Sequence, residues 1–150
     1  MILRKVEWDK DREAIKEVYR EIFLQDYSFW ECSEERLEAV LESVQASCGK
    51  ADRVARVAVE GSSIIGFALG SIRPFFEKSY GLIEMLYVRE DFRNRGYAKL
   101  LLEAIENFFR QFGILYIQLH VTNAEARQLY EKSGYVEERV VMKKLLTEKV

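Results

Sequence analysis

The chain has 150 residues and a mass of 17.6 kDa, which supports one compact core and leaves little room for a second, so residues 1–150 are expected to form a single domain. With 49% hydrophobic and 32% charged residues, one Pro and eight Gly, the composition is globular and excludes disordered, collagen-like and low-complexity classes. Lys plus Arg total 23 against 25 Asp plus Glu, a net charge of -2, so the basic excess of a nucleic-acid binder is missing.

In chain order, Ile2 to Val6 reads as a short strand. The opening run Met1-Ile-Leu-Arg-Lys-Val-Glu-Trp lacks the apolar core of a signal peptide, and no later apolar run approaches the ~20 residues that span a bilayer. From Asp9 or Asp11 onward, Ile15, Val18, Tyr19, Ile22 and Phe23 repeat at helical spacing. After the aromatic stretch Tyr27-Ser-Phe-Trp30, Ser33 caps a second helix with the inner stripe Leu37, Val40, Leu41 and Val44, ended by Gly49. Val54 to Glu60 and Ile64 to Arg73 form an antiparallel hairpin around Glu60-Gly-Ser-Ser63, with Pro74 interrupting the second strand. Tyr80 to Val88 is a long apolar strand with one carboxylate, Glu84, inside it.

A polar loop, Arg89 to Gly96, leads into a helix with Tyr97, Leu101, Ile105, Phe108 and Phe112 on one face, ended by Gly113. Ile114 to Val121 is again a strand, so this helix is the crossover of a βαβ unit and its two strands are parallel. Asn123 caps a short helix to about Ser133, Gly134 ends it, and Tyr135 to Leu145 supplies a last strand. The expected class is α/β (α+β), a mixed central sheet flanked by helices. Two cysteines, Cys32 and Cys48, and one histidine do not make a zinc site of the usual kind. No metal is expected, and the reading is a cytoplasmic protein with reduced thiols and neither nucleic acid nor membrane as partner.

The chemistry concentrates in Arg93-Asn-Arg-Gly-Tyr-Ala98, between a buried strand and a helix N-terminus. The first N–H groups of a helix have no intrahelical partner, and the helix dipole places about half a positive charge there. Phosphates bind such places. Gly96 permits a tight turn and close approach, Ala98 stays small, and Arg93 and Arg95 add charged donors, so a pyrophosphate is the natural ligand. A basic loop that merely caps a helix fits the spacing equally well. Neither G-x-x-x-x-G-K-[ST] nor G-x-G-x-x-G occurs, which leaves P-loop and Rossmann nucleotide sites unsupported.

Arg93-x-x-Gly96-x-Ala98, following the strand Leu82 to Val88, resembles the [RQ]-x-x-G-x-[GA] acetyl-CoA signature of the GCN5-related N-acetyltransferases (GNAT). Downstream, Asn123-x-x-Ala126-x-x-Leu129-Tyr130-x-x-x-Gly134-Tyr135 resembles the second motif of that family, with Ala98 and Tyr135 in place of the commoner Gly and Phe. The two matches, in order, cover residues 80 to 136. The resemblance implies that acetyl-CoA lies in a splay between the two parallel strands, with a bulge that commonly opens it. It further implies that backbone groups of Leu86, Tyr87 and Val88 hold the pantetheine, Arg93, Asn94, Arg95, Gly96, Tyr97 and Ala98 hold the pyrophosphate, and Asn123 and Tyr130 reach the cofactor from the far side.

A thioester already carries a good leaving group, so such an enzyme has to deliver a neutral amine and stabilise an oxyanion. At pH 7.4 an amine of pKa 10.4 is neutral about one part in a thousand, a cost of about 4 kcal/mol, whereas an α-amine near 7.8 costs well under ~1 kcal/mol. Glu84 is the candidate base, directly or through a water, because an ionised carboxylate inside an apolar strand is expensive unless paired or facing a cleft; alternation sets it on the face of Leu86 and Val88. A structural salt bridge explains Glu84 as well. Spacing alone makes Tyr130 a core aromatic, whereas the resemblance implies an acid that protonates the departing thiolate. His120, a lone strand histidine, is read as structural.

From Asp26 to Glu42, six carboxylates against Arg36 accompany Tyr27, Phe29 and Trp30, and the family often borders its acceptor cleft here. Tyr27, Trp30 and Glu31 are candidates for binding a cationic amine, against the alternative of a solvated helix face. The acceptor would be a small-molecule amine or a peptide N-terminus, and a homodimer is left open. A catalytically silent acyl-CoA-binding module is the competing reading; it would keep the Arg93 to Ala98 loop without needing Glu84 or Tyr130.

Overall fold

The computed structural model describes residues 2–25 and 32–146, whose strands join in chain order into one five-stranded sheet. These are β1 (Ile2–Lys5), β2 (Arg53–Glu60), β3 (Ser63–Phe75), β4 (Lys78–Val88) and β5 (Ile117–Leu119). Neighbours from β1 to β4 are antiparallel, and β4 and β5 are parallel, as the crossover helix between them requires. On one face, α1 (Trp8–Gln25) and α2 (Glu34–Cys48) bury Ile15, Val18, Ile22, Leu37, Leu41 and Val44 against Val57, Phe67 and Tyr87. On the other, α3 (Tyr97–Gln111) sets Leu101, Leu102, Ile105 and Phe109 on Val54, Ala58, Ile65, Ala68 and Ile83, and α4 (Ala124–Lys132) adds Tyr130. A Cβ at Gly81 would stand 2.8 Å from the Phe109 ring, so a side chain there would push α3 off the sheet.

Ion pairs fix how the helices sit. Lys16 contacts Glu34 at 2.8 Å and Glu38 at 3.0 Å, Arg20 reaches Glu34 at 3.1 Å, and Arg12 pairs with Glu38, so the carboxylates on this side of α2 are spent on α1. The Arg4 guanidinium binds Asp11 through two hydrogen bonds of 2.7 and 2.8 Å, tying β1 to α1, and the Glu7 amide donates to the same carboxylate at 2.8 Å. Asp11 is only 2% exposed. The hydrogen bonds from Arg4 lower its pKa against the opposing effect of burial.

Asp11→Asn is therefore expected to cost about 2–3 kcal/mol, below the range for a fully buried pair because solvent still reaches Arg4. A carboxylate whose folded pKa is depressed stabilises fully above its unfolded value of about 3.9 and loses that contribution as pH falls through the folded value. Urea midpoints of wild type and mutant should consequently converge below about pH 4.

Three strand expectations change. Pro74 does not interrupt β3, which continues to Phe75: β2 ends at Arg53, opposite Ser71, so the missing N–H of Pro74 removes no bond on that side. β5 is confined to Ile117–Leu119 instead of Ile114 to Val121, because the Ile114 amide bonds back to Phe109 O and closes α3. The last strand, Tyr135 to Leu145, is not formed; residues 135–146 hold neither helix nor strand. Tyr135 is anchored to α4 through Tyr130 O and to α3 through Glu106, while the three-residue ladder of β5 offers the apolar alternation beyond it little edge to pair with. Among the described residues no helix is long and apolar enough to cross a membrane.

Candidate functional site

The ladder between β3 and β4 shifts register at Glu84: Leu69 faces Met85, and the next residue, Gly70, faces Ile83. Glu84 is thus the extra residue of a bulge. It changes the face on which Glu84 stands. The carboxylate meets Arg73 at 2.6 Å and Arg53 at 3.7 Å, and these arginines lie on the α1/α2 side of the sheet, as Phe67 and Leu69 do. The alternation that grouped Glu84 with Leu86 and Val88 is therefore corrected, since one inserted residue reverses every assignment beyond it.

Past the bulge the parallel strands part. Pairing ends at Ile83 with Leu119, and the gap beyond is walled by Leu86, Tyr87 and Val88 on one side and by Thr122, Asn123 and α4 on the other. The cleft holds about 280 Å³, close to the lower limit of small-molecule pockets, which suits an extended arm. Its mouth is the turn into α3. Asn94 at φ +63° and Gly96 at φ +85° are both left-handed, the backbone conformation on which this turn into α3 is built. No backbone N–H from Asn94 to Lys99 has a hydrogen-bond partner among the described residues, and the first helical bond goes from Leu100 to Gly96 O. A run of free amides at a helix N-terminus is a cradle of the kind that can receive an anion.

The arginines of the loop also make contacts within the protein. Arg93 donates from Nε to Val88 O at 2.9 Å and from Nη2 to Gln25 Oε1 at 3.0 Å, and it lies over the Tyr87 ring at 5.1 Å. Its guanidinium braces the loop against β4. Arg95 stacks on Phe92 at 5.4 Å and does not line the cleft. The free backbone amides are donors on offer beside the Arg93 side chain, which lines the cleft.

Opposite the cradle, Asn123 Oδ1 accepts from the Ala126 amide at 2.8 Å and so serves as the N-cap of α4. Tyr130 is 7% exposed, with its ring 5.9 Å from that of Tyr135. Its hydroxyl has no hydrogen-bond partner among the described residues, and burial pushes its pKa up to about 12. It stays protonated across the physiological range.

The structure brings Leu86, Tyr87, Val88, Arg93, Asn94, Gly96, Tyr97, Ala98, Asn123 and Tyr130 to one cleft. Glu84 stands outside that lining, and Tyr27, Trp30 and Glu31 lie outside the described residues. Sequence reasoning missed Lys99 and Lys132, which also line the cleft, although the position of Lys99 in the first turn of α3 was a usable signal. It also missed the last turn of α1, where Gln25 accepts from Tyr87 at 2.9 Å and Glu21 from Arg89 at 2.7 Å, locking the end of β4.

The sequence model of the Acetyltransferase (GNAT) family matches residues 13–135, which include the cradle, the bulge and α4. The chain belongs to this family. A stretch of 85 residues, 55% of this GNAT chain and 54% of the relative, is 36% identical to the uncharacterized N-acetyltransferase YycN of Bacillus subtilis (strain 168). The chain thus spans about half the length of that curated relative. A predicted acetyltransferase from Clostridium acetobutylicum, solved with acetyl-CoA, superposes with a TM-score of 0.78 at 20% identity, covering 97% of this chain and 96% of that one. Glucosamine-6-phosphate N-acetyltransferase from Arabidopsis thaliana gives 0.75 at 20% identity, over 97% and 98% of the two chains. These two share the GNAT fold.

Proposed function

We propose that the protein transfers an acetyl group from acetyl-CoA to a primary amine by direct attack in a ternary complex. The observation that carries this reading is the run of unpartnered amides from Asn94 to Lys99 at the mouth of the β4/β5 splay, facing Tyr130 across it. Acetyl-CoA supplies the activated acyl group. The amides bind its pyrophosphate, Lys99 and Lys132 add positive charge, and the β4 backbone from Leu86 to Val88, beyond the end of the β4/β5 ladder, holds the pantetheine. Glu84 takes the proton of the acceptor ammonium, directly or through a water, from the α1/α2 face.

Tyr130 acts on the departing sulfur. With its pKa near 12 and a thiol near 8.5, complete proton transfer from the hydroxyl is uphill by about 5 kcal/mol. The hydroxyl therefore stabilises the thiolate through a hydrogen bond formed mainly in the transition state. Tyr130→Phe keeps the packed ring and should lower kcat about 10-fold with little change in the acetyl-CoA KM. Wild-type kcat, measured where chemistry limits the rate, would return Tyr130 to a purely packing role.

The Arabidopsis neighbour acts, by its name, on glucosamine 6-phosphate, which supports a small-molecule acceptor here. The deciding experiment is free-thiol release from acetyl-CoA across polyamines, aminoglycosides, amino acids and peptide N-termini. Release that depends on an amine is expected; none with any amine would overturn the reading.

A further inference from the structure

The acidic stretch after α1 invited a cationic acceptor, yet Glu34 and Glu38 are consumed by Arg12, Lys16 and Arg20. The charge left over beside Glu84 has the opposite sign. Arg73 donates from Nη2 to Glu84 Oε1 at 2.6 Å and from Nε to the fully buried Ser71 Oγ at 2.9 Å. Arg53 Nη1 approaches the same Glu84 Oε1 only to 3.7 Å, and its other carboxylate, that of Asp52, is 3.8 Å away and largely exposed. Two guanidinium groups thus share one close carboxylate. Moreover, Arg53 Nε is sealed from solvent and has no hydrogen-bond partner among the described residues.

A part-buried cation whose nearest carboxylates stand 3.7 and 3.8 Å away is under-compensated, and an anion reaching its Nη groups would relieve that. The fork of a guanidinium matches a carboxylate or phosphate bidentately. Glu84 keeps its second oxygen, Oε2, free of protein donors among the described residues, so a site for an ammonium and a site for an anion lie side by side. The bulge is two residues before Leu86, the first residue of the cleft wall, a separation of roughly 7 Å along the strand. Both sites are therefore close to where the acyl group would be delivered.

We infer that the acceptor is an amine carrying an anionic group a few bonds away, with Arg53 and Arg73 binding the anion and Glu84 the ammonium. This rests on the acetyltransferase reading and narrows its substrate class. Arg53 becomes the specificity-determining residue, and Arg73 both positions Glu84 and completes the anion site.

The test uses matched pairs: amino acids against their carboxamides, an amino sugar phosphate against the free amino sugar, and polyamines as the purely cationic arm. Thiol release gives kcat/KM, and calorimetry in the presence of CoA gives the amine Kd. The anionic member of a pair should be favoured at least 10-fold in both readouts, and the pair that shows it distinguishes a carboxylate from a phosphate. Arg53→Gln should bring the ratio close to one while the CoA-induced thermal shift persists, and Arg53→Lys, which keeps charge without the fork, should restore part of it. Turnover of carboxamides or polyamines as fast as the anionic amines overturns the inference and leaves acetyl transfer standing, as does a preference that survives Arg53→Gln. Absence of thiol release with every amine overturns both. If Arg53→Gln does not fold, the matched pairs on the wild-type protein decide the question alone.

Discussion

Glu84→Gln is expected to lower kcat/KM by about 10²-fold at neutral pH on an amine of pKa near 10.4, and by much less on an α-amine near 7.8. Glutamine is close to isosteric, and its amide oxygen can still accept from Arg73, so the geometry of the bulge is preserved while charge and basicity are lost. The difference between substrates follows from the deprotonation each demands. Each unit of pH multiplies the neutral fraction of the high-pKa amine tenfold, so the mutant's deficit should shrink steadily between about pH 7 and 10. A deficit caused by collapse of the Arg53, Arg73 and Glu84 cluster would not respond in that way. Wild-type turnover by Glu84→Gln on the best acceptor at neutral pH would make Glu84 structural.

The cofactor half of the fold was legible because its signals are local. The Asn123 cap and the glycine turn at Gly96 are each written within a few residues and recur in the structure where the sequence puts them. The α3 stripe recurs at Leu101 and Ile105, but the structure buries Leu102 and Phe109 where the sequence suggested Phe108 and Phe112, and Phe112 is exposed. Glu84 illustrates the limit. A carboxylate in an apolar strand stands out, yet its face depends on a one-residue bulge whose cause lies in pairing with β3, and nothing in the strand itself records it. The same holds for charge. Glu34 and Glu38 count as acidic residues in the sequence, whereas the fold spends them on helix-to-helix pairs, and Arg53 and Arg73, twenty residues apart, meet at Glu84 only through the ladder between strands. The clamp of Gln25 and Glu21 on Tyr87, Arg89 and Arg93 likewise joins positions more than sixty residues apart. The alternation after Tyr135 marks residues able to form a strand, but a strand also needs an edge to pair with, and β5 provides three residues.

Gly96→Val is expected to abolish most of the stabilisation that CoA gives the folded protein, for a reason the structure makes specific. A Cβ at Gly96 would meet nothing within 4 Å, so crowding by the protein is not the constraint. The constraint is the backbone, because φ is +85° and a β-branched residue pays heavily for a left-handed conformation that already costs an ordinary side chain about 1–2 kcal/mol. If the turn relaxes toward negative φ, the amides of Asn94 to Lys99 are rearranged, and the pyrophosphate loses backbone donors. Wild type at a CoA concentration of 100 Kd should gain about 2.7 kcal/mol, or roughly 5–10 °C in Tm for a domain of this size. The Val variant should gain little at the same concentration. Gly96→Asn separates conformation from space: Asn is larger than Ala but tolerates the left-handed region, as Asn94 does two residues earlier at φ +63°. The CoA response should therefore fall in the order Gly, Asn, Ala, Val. An order that instead follows side-chain size, with Asn responding as weakly as Val, would mean that the ligand itself needs the space above Gly96, and an undiminished response in Gly96→Val would remove the pyrophosphate from this turn.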